Sequence, residues 1–199
     1  MAYVFCFGDS NTDGYDARSM FGERLPEEER WPAVLKSLSG WNVINEGMNG
    51  RRIPRDIWSL ENFDRQLIGC GPIDLVIVML GTNDLLNSFP PDMKKIGTDM
   101  EQFVRHMLKH PSINGKGEKI LLIAPPHTDI GRFDEENAWY DKESGKFGDC
   151  YQKIAEKYGI RYADSGQWGI ALAHDGVHIS PQGHQTFGKN LWEILKPVR

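Results

Sequence analysis

The chain has 199 residues, 40% of them hydrophobic and 26% charged, and a formal net charge of −5 at pH 7. That balance fits one soluble α/β domain over residues 1–199 and excludes a disordered chain, a collagen-like repeat and a broad basic footprint for nucleic acid. Three cysteines, Cys6, Cys70 and Cys150, stand at unrelated spacings that make neither a zinc pattern nor a disulfide framework. With no secretory apolar region and no stretch long enough to span a bilayer, the expected location is the cytoplasm, with no membrane partner.

Tyr3 to Phe7 is an apolar run of strand formers that stops at Gly8, which predicts a buried parallel strand ending in a tight turn. Ser10 lies just beyond, where open α/β sheets place their ligands. Residues 11–29 are polar and predict an active-site loop. Trp31 to Leu38 has helical spacing and stops at Ser39-Gly40. Trp41 to Asn45 predicts a second strand with a glycine-rich exit through Gly50, followed by Arg51, Arg52 and Arg55, read as a solvated loop with an anion contact as the second reading. Trp58 to Ile68 reads as a helix. Ile73 to Leu80 is the strongest strand signal and ends in Gly81-Thr82-Asn83-Asp84. An amphipathic helix over Met93 to Leu108 precedes a strand over Lys119 to Ala124, which exits through Pro125-Pro126-His127. Residues 129–148, with Trp139 and Tyr140, predict a long polar loop that serves as a lid or subunit contact. A helix from Cys150 to Tyr158, a strand from Ile160 to Ala163 and a helix from His184 to Leu195 complete the chain. Strands alternating with helices predict a parallel sheet of five strands with helices on both faces.

In such a sheet the strand exits converge, so Ser10, Gly50, Asn83 and Asp175-Gly176-Val177-His178 become candidates for one site. A serine hydroxyl is a weak nucleophile until a base takes its proton, and a histidine titrates in the useful range. Asp175, three residues before His178, can hold the imidazole tautomer. The N–H groups of Ser10 and Gly50 and the amide of Asn83 can receive a developing oxyanion. Bland readings stand beside each of these: a helix cap for Ser10, a turn for residues 81–84, a surface histidine for His178. His174, Asp175, His178 and His184 also raise a metal site. His106 and His110 are at i and i+4, but Met107 stands where a zinc protease has glutamate. A non-catalytic carbohydrate-binding or scaffold module is the reading outside enzymology.

Taken together, Gly8-Asp9-Ser10-Asn11, Gly47-Met48-Asn49-Gly50, Gly81-Thr82-Asn83-Asp84 and Asp175-Gly176-Val177-His178 resemble, in order and spacing, the blocks of the SGNH hydrolases, or GDSL esterases. The resemblance implies a flavodoxin-like three-layer α/β/α sandwich and a serine carboxylic-ester hydrolase that needs no metal or cofactor. Ser10, Asp175 and His178 would be its triad, and Ser10, Gly50 and Asn83 its oxyanion hole. Residues 75–84 and Pro125-Pro126 look most like the bacterial arylesterase and acyltransferase branch, which implies a homo-oligomer and a short acyl chain, acetyl above all. Asn11 replaces the usual leucine, and Asp13 and Tyr15 stand where that branch tends to place tryptophans. Asp13, Tyr15 and His127 are therefore the candidate substrate contacts. A more polar entrance raises a carbohydrate acetyl ester as the alternative substrate to other small-molecule esters.

Overall fold

The computed structural model describes residues 1–196. Its strands are β1 (Tyr3–Gly8), β2 (Asn42–Gly47), β3 (Leu75–Met79), β4 (Ile120–Ala124) and β5 (Arg161–Asp164). They form one parallel sheet in the order β2-β1-β3-β4-β5. Side chains alternate between its faces with the strand period of two. Phe5 and Phe7 enter one core with Val76, Val78 and Leu122, while Val4 and Cys6 enter the other with Ile77 and Leu121. The first core is closed by α3 (Ile57–Gly69), α5 (Met93–Lys109) and α7 (Phe147–Tyr158), which supply Phe63, Phe103 and Tyr151. The second is closed by α2 (Trp31–Ser39) and α8 (Pro181–Leu195), through Trp31, Leu35, Phe187 and Leu191. The result is the expected flavodoxin-like α/β/α sandwich.

This strand order has its switch point between β1 and β3, because the chain leaves β1 outward to β2 and then returns to β3 on the opposite side. A crevice opens beyond the carboxyl ends of those two strands. The exits of β1 and β3 carry Ser10 and Asn83.

Several elements differ from the sequence expectation. Residues 11–29 are not all loop: α1 (Ser10–Asp13) opens the segment, Tyr15 bridges Arg24, and a 3-10 turn closes it at Glu27–Glu29. The residues after Gly81 form α4 (Thr82–Leu86) rather than a simple turn. α8 starts at Pro181, three residues early, because Ser180 caps it by accepting the Gly183 N–H at 3.1 Å. Residues 129–148 are not a free loop. They hold α6 (Ala138–Ser144), and α7 has already begun at Phe147. Asp141 fastens the segment, its carboxylate accepting from Thr128 Oγ1 (2.7 Å) and from the N–H groups of Ile130 (3.0 Å) and Gly131 (2.7 Å). Among the described residues no helix is long and apolar enough to cross a membrane.

Candidate active site

The sharp turn out of β1 depends on Gly8. A Cβ there would fall 2.0 Å from Thr12 Oγ1 and 2.9 Å from the Met79 carbonyl oxygen. The turn delivers Ser10 to the first position of α1. Asp9 caps that helix, its carboxylate accepting the Asn11 N–H at 2.9 Å. Burial pushes the Asp9 carboxyl up to about 6, against the Asn11 hydrogen bond and the nearby charges of His178 and Arg51. Gly47, at the end of β2, lets the next strand exit lie directly on α1: a Cβ there would stand 2.1 Å from the Asp13 nitrogen.

Three side chains from opposite ends of the chain meet above this turn. His178 Nε2 is 3.0 Å from Ser10 Oγ, and His178 Nδ1 is 2.5 Å from Asp175 Oδ2. The carboxylate at Nδ1 assigns the proton to that nitrogen and leaves the Nε2 lone pair facing the hydroxyl. Asp175 Oδ1 also accepts the N–H groups of Val177 and His178, both at 3.0 Å. Burial works against the Asp175 charge. The hydrogen bonds from His178 and Val177 outweigh it and hold the carboxyl well below the usual range.

Across the crevice, Asn83 is the second residue of α4, and its Nδ2 donates one proton to the Arg51 carbonyl at 3.1 Å. Gly50 is the residue before Arg51. It has φ +72° in a turn closed by Arg51 N–H to the Met48 carbonyl at 3.1 Å, a backbone conformation that favours glycine. A second rung, Ile53 N–H to Asp84 Oδ2 at 3.0 Å, locks the same loop to α4. Gly50 and Asn83 are thereby fixed relative to each other. The second Asn83 amide proton and the N–H groups of Ser10 and Gly50 have no hydrogen-bond acceptor among the described residues.

The three candidate substrate contacts fare differently. The Asp13 carboxylate is not free at the entrance: it pairs with Arg24 at 3.0 Å and is largely buried. Tyr15 lies against His178, with the two ring centroids 4.4 Å apart and the planes tilted by 40°. His127 is at the β4 exit, two strands from Ser10 in the sheet order, and packs against Gly166. Arg51 corrects the solvated-loop expectation. It is buried, its Nη1 donates to the carbonyls of Gly8 (2.9 Å) and Glu46, and its guanidinium covers the Phe7 ring. The cost of that burial lowers its pKa to about 10. A long basic side chain after a glycine turn was the only sequence signal for it.

The raised metal cluster does not assemble. Both ring nitrogens of His178 are engaged, and the buried His184 turns away, its Nδ1 accepting the Trp31 N–H at 3.2 Å. Among the described residues no group of three or more histidine, cysteine or acidic side chains is arranged to hold a metal ion.

A flavodoxin-like sandwich with hydroxyl, imidazole and carboxylate bonded in series at its switch point has the architecture of the SGNH hydrolases. The family model for GDSL-like lipases and acylhydrolases matches residues 6–186. The chain belongs to that family, and its class is carboxylic-ester hydrolase. It is similar to an arylesterase of Vibrio mimicus, 25% identical over 196 residues, spanning 90% of this chain and 80% of that protein. A carbohydrate acetylesterase of Sinorhizobium meliloti superposes with a TM-score of 0.81 at 26% identity, covering 98% of each chain. The aryl esterase of M. smegmatis gives 0.79 at 25% identity, again over 98% of each.

Proposed function

We propose that the protein is a serine esterase for short acyl chains, acetyl above all, working through an acyl-enzyme on Ser10. The observation that carries this reading is the series of contacts Ser10 Oγ–His178 Nε2 (3.0 Å) and His178 Nδ1–Asp175 (2.5 Å). His178 takes the hydroxyl proton as Ser10 Oγ attacks the ester carbonyl carbon. The tetrahedral oxyanion accepts hydrogen bonds from the N–H groups of Ser10 and Gly50 and from the free Asn83 amide proton. His178 returns the proton to the departing alcohol oxygen, and the acyl-enzyme remains. Water then repeats the sequence, giving the carboxylic acid and free Ser10. Asp175 keeps the imidazole in the working tautomer and stabilises its protonated form.

The acetyl preference draws on the likeness to the S. meliloti carbohydrate acetylesterase. The likeness to the arylesterases of V. mimicus and M. smegmatis points to an aryl alcohol half. The decisive experiment is labelling with a fluorophosphonate, followed by hydrolysis of p-nitrophenyl acetate and acetylated sugars. Wild-type protein is expected to be labelled at Ser10 and Ser10→Ala to be unlabelled and inactive. Normal turnover by that variant removes Ser10 as the nucleophile, and an unlabelled, inactive wild type returns the molecule to a non-catalytic module.

A further inference from the structure

We infer that Asn11 is a positioning residue for His178: its carboxamide clasps the peptide groups on both sides of the base. This rests on the reading of Ser10 as nucleophile and His178 as base. Asn11 is covalently next to Ser10 and is buried. Its Oδ1 accepts the Ile179 N–H at 2.8 Å, and its Nδ2 donates to the Val177 carbonyl at 3.3 Å. Those are the backbone groups immediately after and before His178. A donor on one side and an acceptor on the other fix which end of the amide is oxygen. One side chain thus makes the two bonds that the N–H and C=O of one residue make across a parallel ladder.

The clasp is itself held through its backbone. The Asn11 N–H donates to Asp9 Oδ1 at 2.9 Å, and its carbonyl accepts the Trp31 indole N–H at 3.1 Å. Other backbone groups of the histidine loop are satisfied elsewhere. Asp175 takes the N–H groups of Val177 and His178, Ala173 N–H reaches the His178 carbonyl at 2.7 Å, and Asp129 N–H reaches the Gly176 carbonyl at 2.8 Å. None of those bonds joins the loop to the nucleophile's segment; the Asn11 pair does. Leucine, the residue usual at this place in the resembling motif, offers neither donor nor acceptor and would leave the Ile179 N–H buried without a partner. The spacing between hydroxyl and imidazole is therefore set by two bonds placed one residue along from each.

The test compares Asn11→Leu and Asn11→Asp with the wild type on p-nitrophenyl acetate across pH, with thermal melts to confirm folding and Ser10→Ala alongside. Asn11→Leu is expected to lower kcat by about 10- to 100-fold with KM moved far less, the cost of misplacing a reacting group by a fraction of an ångström to an ångström. Asn11→Asp keeps the acceptor for Ile179 but turns a carboxylate oxygen toward the Val177 carbonyl. Protonation restores a donor there, so its kcat relative to wild type is expected to rise as the pH falls. Asp9, Tyr15, Asp175 and His178 are present in both proteins, so the ratio isolates residue 11. Wild-type kcat in folded Asn11→Leu, or a ratio independent of pH in Asn11→Asp, overturns the positioning role. Should Asn11→Leu fail to fold, the Asn11→Asp ratio decides alone. Full activity in Ser10→Ala would instead overturn the reading beneath it.

Discussion

Among the described residues two aspartates bond a histidine at hydrogen-bond distance, and only one of those histidines also faces a serine hydroxyl. At the sheet edge, Asp175 takes Nδ1 of His178 and leaves Nε2 facing Ser10. Between α3 and α5, Asp64 takes Nε2 of His106 at 2.7 Å, with the His110 Nε2 at 4.0 Å. The His110 Nδ1 accepts the Ser112 N–H at 3.2 Å, so its proton is on Nε2 and no lone pair is left there for a metal. Phe63 packs edge-on against both rings. The contact is similar in length at the two places. What differs is which nitrogen the carboxylate occupies, and whether a hydroxyl waits at the other. The surroundings differ too. Asp175 receives two backbone N–H bonds as well, and Asp64 receives none among the described residues, although the two carboxylates are equally exposed.

That contrast can be tested from its strongest limb to its weakest. Asp175→Asn is expected to lower kcat by about 10⁴-fold, because the amide no longer holds the working tautomer. The pH profile sharpens the same point. The Asp175 pKa in the folded protein lies below the unfolded value of about 3.9, so the stability it contributes is complete above that value and is lost as pH falls through the folded one. Loss of the fold through Asp175 therefore begins only in strong acid; a wild-type melt that already falls more steeply than that of Asp175→Asn between about pH 6 and 5 would contradict this. Next in size, Asn83→Ala is expected to reduce kcat by about 10²- to 10³-fold with KM nearly constant. An unchanged kcat would remove Asn83 from the oxyanion site. Smallest is Asp64→Asn, at the pair without a nucleophile. Its kcat/KM should stay within about twofold of wild type and its stability within about 1 kcal/mol. A large loss of activity there would erase the distinction between the pairs.

Much of this was legible before any coordinates. The runs Val4 to Phe7 and Leu75 to Leu80 are buried on both faces and announce central strands, and the glycines closing them mark the exits that meet at the switch point. Ser10, Asn83, Asp175 and His178 follow from chemistry placed at those exits. What stayed hidden depends on partners far away in sequence. The two backbone groups that Asn11 holds are 166 and 168 residues further on, and nothing local marks an asparagine for that task. Asp13 looked like an open carboxylate because its partner Arg24 lies across a loop whose folding back, through the Tyr15–Arg24 bridge, has no periodicity to read. α6 was missed because seven residues with few apolar side chains give no helical stripe; the Asp141 bonds organise it instead. The start of α7 is hidden in the sequence because Gly148 reads as a breaker. In the fold it is the residue small enough to approach Asp164, whose Oδ2 would be 2.5 Å from a Cβ there.

If Asn11 positions His178 as proposed, the distance in sequence between Asn11 and its two partners also bears on when the molecule can first act. On the proposed mechanism the hydroxyl of Ser10 leaves the ribosome 168 residues before its proton acceptor, with Asn11 beside it still lacking the groups it clasps. Until residues 171–180 leave the ribosome and dock, that serine is as inert as any in water, and a nascent or prematurely ended chain holds a harmless half-site.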